Sequence, residues 1–275
     1  MKQPEDFRDN VKASLTKQAD AGPDDSLRPR RQRAFELDAL RGLAVLMMVL
    51  HHLIYDLRYL LGLDVFAWQE TKWFDLLLRP FFLAIFLIGS GITSTFTRSN
   101  FRRGLRLGTV AIAYSIVMAI VSLVMQTDFY IFFNVLHLLA VGSLVYAGIS
   151  RRDKGAHTDT LLVFLLVLIF YAALIMPAEP ASTWLLLPLG ILPANAPAMA
   201  DYLPILPWLG FFLAGALIGR LQYRERKTAF PNAPQWLLSV SQPFIFLGRN
   251  SLWIYILHQP LLMLILFGLR FAGLI

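Results

Sequence analysis

The 275-residue sequence contains no cysteine, which excludes disulfides, thiolate nucleophiles and thiolate metal sites. Charge is scarce: 16% of the residues are charged and 57% are hydrophobic, whereas average soluble domains carry roughly 25% charged residues. The first 34 residues lack an apolar core, so they do not read as a secretory signal peptide. No internal repeat is apparent. What the chain has instead is a succession of mostly apolar stretches of about twenty residues, long enough to cross a bilayer core of ~30 Å. This pattern predicts an all-α, polytopic membrane helix bundle.

Seven spans are predicted near 38–60, 74–96, 105–125, 131–149, 159–176, 204–221 and 250–272. The formal charge of +7 does not call for nucleic acid, because the basic residues fall mostly in short gaps between spans. Arg98, Arg102 and Arg103 follow the second span, Arg151, Arg152 and Lys154 the fourth, and Arg224, Arg226 and Lys227 the sixth. The alternate gaps hold Asp64, Glu70, Asp128, Glu179 and Asp201, with Lys72 as their one basic residue. The positive-inside rule then puts the N-terminus in the cytoplasm and the C-terminus outside. Residues 1–34 read as a disordered cytoplasmic tail ending in the basic cluster Arg28, Arg30, Arg31 and Arg33. Residues 35–275 form the membrane domain of a multi-pass protein of the cell (inner) membrane.

The stretch 177–203 is apolar but broken by Pro177, Pro180, Pro188, Pro193 and Pro197. Proline removes backbone donors and kinks helices. A lid or re-entrant element on the outer face fits, since irregular backbone at depth must line protein or a cavity; a loose outer loop is the alternative.

An ionisable side chain in the membrane centre costs about 2.5–3.5 kcal/mol on insertion scales, so it usually faces a cavity or a partner. On the first span Arg41 and His52 are separated by roughly 20° around the helix, with Asp38 and Asp56 within about 60°. One stripe thus carries Asp38, Arg41, His52 and Asp56. Asp56 follows His52 by one turn, close enough to orient its imidazole as a general base; a structural hydrogen-bonded pair is the other reading. His51 points about 100° away and reads as structural or as part of the pocket wall.

Other spans offer partners. Arg79 enters the second span at the depth of Asp56, which favours an ion pair. Asn134 and His137 lie one turn apart near the outer end of the fourth span. Ser251, Tyr255 and His258 share a face of the last span within about 60°. The turn "LGRNSL" holds Arg249, Asn250 and Ser251; Asn250 or Ser251 would cap the last helix, whose free N–H groups favour an anion. With Arg41 on the same membrane side, a phosphate-bearing ligand could enter from the cytoplasm, unless the charge is only positive-inside bias. "GSG" at 89–91 and Gly215 with Gly219 fit close helix packing.

Four segments, "ELDALRGLAVLMMVLHHLIYDL", "FNVLHLLAVG", "ADYLPILPWLGFFLAGALIGR" and "FLGRNSLWIYILHQPLL", together resemble the bacterial relatives of heparan-α-glucosaminide N-acetyltransferase, among the transmembrane acyltransferases. The resemblance covers roughly 35–265. It implies an enzyme that takes acetyl-CoA from the cytoplasm and acetylates an amino sugar or glycan hydroxyl outside, with no metal. On that implication Arg41, Arg249, Asn250 and Ser251 would hold the CoA phosphates. His52, oriented by Asp56, would be the base. His51, Arg79, Asn134, His137, Asp201, Tyr255 and His258 would shape the acceptor pocket. One departure stands out: the animal enzyme places a catalytic histidine in the first outer loop, and residues 61–73 here contain none. His51 or His52 is then the replacement base, or the chain is a repurposed relative.

Two other classes fit parts of the pattern. A proton- or ion-coupled transporter of a small polar substrate would also use buried histidines and a broken outer segment, although no inverted repeat is visible. A membrane haem protein would use His52, His137 and His258 as axial ligands. A cell-envelope assembly role without acyl transfer is a further reading. The partners are the lipid bilayer and a small-molecule or glycan acceptor, with no nucleic acid. Small-residue faces permit a homodimer.

Overall fold

Backbone placed in hydrocarbon must satisfy its own hydrogen bonds, so apolar runs fold as helices. The computed structural model describes residues 34–126, 130–151, 155–197, 199, 201–224 and 227–274. The tail with Arg28, Arg30, Arg31 and Arg33 lies outside the described residues, as do Asp128, Arg152, Lys154 and Arg226. The α-helices are α1 (Phe35–Tyr55), α2 (Arg79–Phe96), α3 (Asn100–Met125), α4 (Val135–Ser150), α5 (Ala156–Leu174), α6 (Trp208–Gln222), α7 (Gln235–Arg249) and α8 (Ser251–Phe271). Short π-helical turns extend α1 over Asp56–Leu60 and precede α2 over Phe74–Leu78.

Five segments are long and apolar enough to cross a membrane: Phe35–Leu60, Phe74–Phe96, Asn100–Val124, Ala156–Leu174 and Ser251–Phe271. The helices α4 and α6 are apolar too, but have 16 and 15 residues, about 24 Å or less in length. The chain is an all-α, multi-pass membrane protein. Two features depart from the seven predicted spans. The third begins at Asn100 because the Ser99 hydroxyl accepts from the Arg102 amide at 3.3 Å, an N-cap that starts the helix before its apolar run. Arg102 and Arg103 therefore ride on α3 rather than in a gap. In addition α7, with no span assigned to it in the sequence, packs along α1.

Glycine sets the two closest helix pairs. A Cβ on Gly91 would fall 1.9 Å from the Phe212 carbonyl oxygen, and one on Gly215 would fall 2.1 Å from that of Ile88. Backbone therefore meets backbone between α2 and α6, as small residues allow in membranes. Gly42 on α1 and Gly248 on α7 meet in the same way, each 1.8 Å in Cβ terms from a carbonyl oxygen of the other helix.

The ends of α2, α4 and α6 and the starts of α3 and α5 surround one cavity of about 1240 Å³, whose wall includes Arg98, Arg102, Arg151, Arg220 and Arg224. This is the basic end of the bundle. The start of α1 belongs to it: buried Glu36 accepts from the Thr228 hydroxyl at 2.7 Å and the Ala229 amide at 2.8 Å. Arg220 of α6 is held by Asp159 of α5 and by the Gly155 carbonyl.

The far end carries the connections. Among the described residues of 177–203, Trp184–Leu189 forms a 3-10 turn. The Ala181 amide donates to the Leu192 carbonyl at 2.9 Å, Tyr202 donates to the Leu187 carbonyl at 2.6 Å, and the Leu203 amide donates to the Phe133 carbonyl at 3.0 Å. Proline breaks the helix, but buried Leu187 and these bonds make the segment a fixed cap. In the α1–α2 connection, Arg58 reaches the Val65 carbonyl at 2.5 Å and Glu70 at 2.8 Å, while Tyr59 donates to Glu70 at 2.8 Å.

Candidate functional site

The polar stripe of α1 faces α7 and α8 along its whole length. Buried Asp38 pairs with Arg249 at 3.3 Å, Arg41 donates to the Ser251 hydroxyl at 2.7 Å, and the His52 ring lies 4.9 Å from that of His258. Buried Asp56 accepts from Gln259 Nε2 at 3.1 and 3.0 Å. The partners ascend α8 in the order in which the stripe ascends α1, so the two helices run parallel.

Several expected partnerships are replaced. No hydrogen bond joins Asp56 to His52 among the described residues, because the carboxylate is turned to Gln259. Arg79 pairs with Asp75, one turn away on its own helical segment, at 3.8 Å with both side chains exposed, rather than with Asp56. Asn250 does not cap α8 with its side chain; its Nδ2 donates back to the Phe246 carbonyl at 2.9 Å and closes α7. His51 and His52 serve different neighbours: the His51 ring packs against Phe74 at 5.4 Å, while that of His52 faces His258.

A second cavity of about 490 Å³ opens between α1, α2, α3, α4 and α8 and shares Thr97, Ser99 and Arg102 with the basic bowl. Arg41, Arg102, Arg103 and Arg106 line it together with Ser251 and Tyr255, and no carboxylate does. Arg102, Arg103 and Arg106 form no ion pair among the described residues. Arg249, bound to Asp38 with half its side chain exposed, is not part of this lining. The arginines of α3 are the residues missed in the sequence. The signal was present as Ser99 followed by "FRRGLR": a cap and then basic residues at one-turn spacing, which places them on a helix face.

Tyr255 closes the cavity toward the far end. Its hydroxyl donates to Asp201 of the cap, and its ring lies 5.9 Å from that of His258 and 6.3 Å from that of Tyr114. Burial pushes the Asp201 carboxyl above its ordinary range, against the opposing pull of the Tyr255 hydrogen bond. His258 Nδ1 lies 2.7 Å from the Tyr255 carbonyl. A carbonyl only accepts, so Nδ1 carries the proton and Nε2 the lone pair. That Nε2 is buried with no hydrogen-bond partner.

Asn134 and His137 form a capping box at the start of α4. Asn134 Oδ1 accepts from the Leu136 amide at 3.1 Å and the His137 amide at 3.4 Å, and His137 Nδ1 lies 2.9 Å from Asn134 Oδ1 and 3.3 Å from the Asn134 amide nitrogen. Asn134 is wholly buried; its Nδ2 has no hydrogen-bond partner and lies near Tyr255.

The site is thus a basic cavity closed by a tyrosine whose ring borders one of a pair of facing imidazoles. Such an arrangement can bind an anion and move a proton. No curated protein and no solved structure matches the chain. The family described as "Heparan-alpha-glucosaminide N-acetyltransferase, catalytic" matches residues 33–260, a range that holds both cavities and every imidazole of the site, and the chain belongs to that family.

Proposed function

We propose that this chain moves an acetyl group from acetyl-CoA, entering at a cytoplasmic basic end, to an amino-sugar nitrogen or glycan hydroxyl at an outer far end. The observation that carries this reading is the arginine-lined cavity that ends at Tyr255, whose ring lies 5.9 Å from His258 of the His52–His258 pair. Arg41, Arg102, Arg103 and Arg106 suit the CoA phosphates, because guanidinium groups recognise phosphate through paired, charge-assisted hydrogen bonds. Seven residues of α8 separate Ser251 at the cavity from His258, about 10 Å of helix, along which the pantetheine arm would lie.

His258 Nε2 is pre-set as a proton acceptor, with His52 beside it. As the acceptor oxygen or nitrogen bonds to the thioester carbon and the C–S bond breaks, the acceptor proton passes to the imidazole pair and on to the departing thiolate. The unpartnered Asn134 Nδ2 is a donor for the carbonyl oxygen as it gains negative charge. Asp201, brought in by the cap and tied to Tyr255, fixes the wall behind His258.

The test is calorimetric titration of acetyl-CoA into the detergent-solubilised, full-length protein. Binding is expected for the wild type and about tenfold or more weaker for Arg103→Ala, since a hydrogen bond to a charged group contributes roughly 1.5–3 kcal/mol. A folded wild-type protein that binds neither acetyl-CoA nor CoA overturns the reading.

A further inference from the structure

Acyl transfer at His52 and His258 leaves His51 without a task. Its ring stands 5.7 Å from that of His52, which stands 4.9 Å from that of His258. The three imidazoles form a row. Both ends of the row hold a buried nitrogen with no hydrogen-bond partner, Nδ1 of His51 and Nε2 of His258. Leaving such an atom unpaired is costly, so a purely structural row would be expected to satisfy them.

The row leads toward the α1–α2 connection. His51 is half-buried and packs against Phe74 with ring centroids 5.4 Å apart. Buried Gln69 of the α1–α2 connection lies within hydrogen-bonding reach of its ring, with Asp75 and Arg79 the charged groups nearby on the segment that opens α2. Trp68 and Glu70, on either side of Gln69, are exposed at the far end. At the other end of the row, His258 has Asp201 of the cap near it, and Asp56 is occupied by Gln259.

The chemistry of the acceptor supplies the need for an exit. When a hydroxyl is acetylated, the one proton it loses ends on the CoA thiol. An ammonium group loses two protons as its nitrogen bonds to the acetyl carbon and the C–S bond breaks. One of these ends on the CoA thiol, and the other is surplus. It must leave the interior of a membrane protein, where charge is expensive.

We infer that His51 is the exit relay that carries this surplus proton, when the acceptor is an amine, from the His52–His258 pair to the far-end solvent. The inference rests on the acyl-transfer reading.

The experiment uses the full-length protein in liposomes, with acetyl-CoA as donor and glucosamine as the amine probe. His51→Gln is expected to lower kcat about 100-fold, within the usual range for a positioned proton-transfer group, with acetyl-CoA affinity unchanged. Added imidazole should restore part of the rate, and the solvent deuterium isotope effect should rise, because proton exit becomes limiting. Unchanged acetyl-CoA affinity also reports that the variant is folded. A wild type that turns over glucosamine and is matched by His51→Gln overturns the relay and leaves acyl transfer standing. A slow His51→Gln that imidazole does not rescue, with an unaltered isotope effect, assigns His51 a packing role and overturns the relay too. A wild type that binds acetyl-CoA but transfers nothing to glucosamine removes the amine acceptor and the inference with it. One that binds no acetyl-CoA overturns the acyl-transfer reading itself.

Discussion

His52 and Asp56 show how far a single helix can be read at the scale of residues. Their spacing puts both on one face, but which partner a side chain takes is decided by the helix opposite. Here α8 brings Gln259 to Asp56 and His258 to His52. The two carboxylate and imidazole roles therefore separate, and so should their variants. His258→Asn removes the buried lone pair of Nε2 and is expected to slow transfer by about 10²–10⁴-fold. Asp56→Asn should keep the rate within about tenfold, since it disturbs only the bond to Gln259 and not an imidazole. Steady-state rates with acetyl-CoA in excess decide the matter; an Asp56→Asn variant as slow as His258→Asn would return Asp56 to the role of orienting the base.

Helices and their connections carry the next level. The α2–α6 contact rests on backbone touching backbone, so Gly215→Ala, whose Cβ would sit 2.1 Å from the Ile88 carbonyl oxygen, must push the pair apart. Overpacking of this kind costs about 1–3 kcal/mol, read as a lower unfolding temperature in detergent. Gly148→Ala on α4 meets nothing within 4 Å and should leave that temperature unchanged or slightly raised, because alanine is the better helix former. In the α1–α2 connection, the Tyr59 hydroxyl and then Arg58 hold the Glu70 carboxyl below its ordinary range. A carboxylate with a depressed folded value contributes its stability above the unfolded value and loses it as pH falls through the folded one. Lowering the pH below about 4 should therefore release this connection and change the fluorescence of stacked Trp68 and Trp73, whereas Glu70→Gln should remove the pH dependence. The helices were legible because their apolar runs and small-residue spacings are local signals. The start of α3 was not, because a cap outweighed hydropathy there, nor was α7, whose polar residues and Pro243 hide a helix stabilised chiefly by its glycine contact with α1. The cavity needed five helices at once, and no segment taken alone specifies it.

At the scale of the whole molecule, charge and chain direction make one argument. The ends of α2, α4 and α6 meet in the arginine-rich bowl, while the cap over Trp184–Leu189 and the Arg58 clamp belong to the opposite end. If the bowl faces the cytoplasm, as positive-inside bias requires, then acetyl-CoA reaches its arginines from the compartment that makes it, and the imidazole row opens on the other side. The absence of cysteine makes this directly measurable, because any thiol introduced is the only one in the chain. Leu185, 83% exposed on the cap, and Arg98, exposed at the basic end, are the sites for Leu185→Cys and Arg98→Cys. In intact cells a membrane-impermeant maleimide is expected to label Leu185→Cys and to spare Arg98→Cys, and inside-out vesicles should show the reverse. Labelling of Arg98→Cys from outside would invert the protein, place the phosphate-binding arginines away from cytoplasmic acetyl-CoA, and leave the cavity in need of a different anionic ligand.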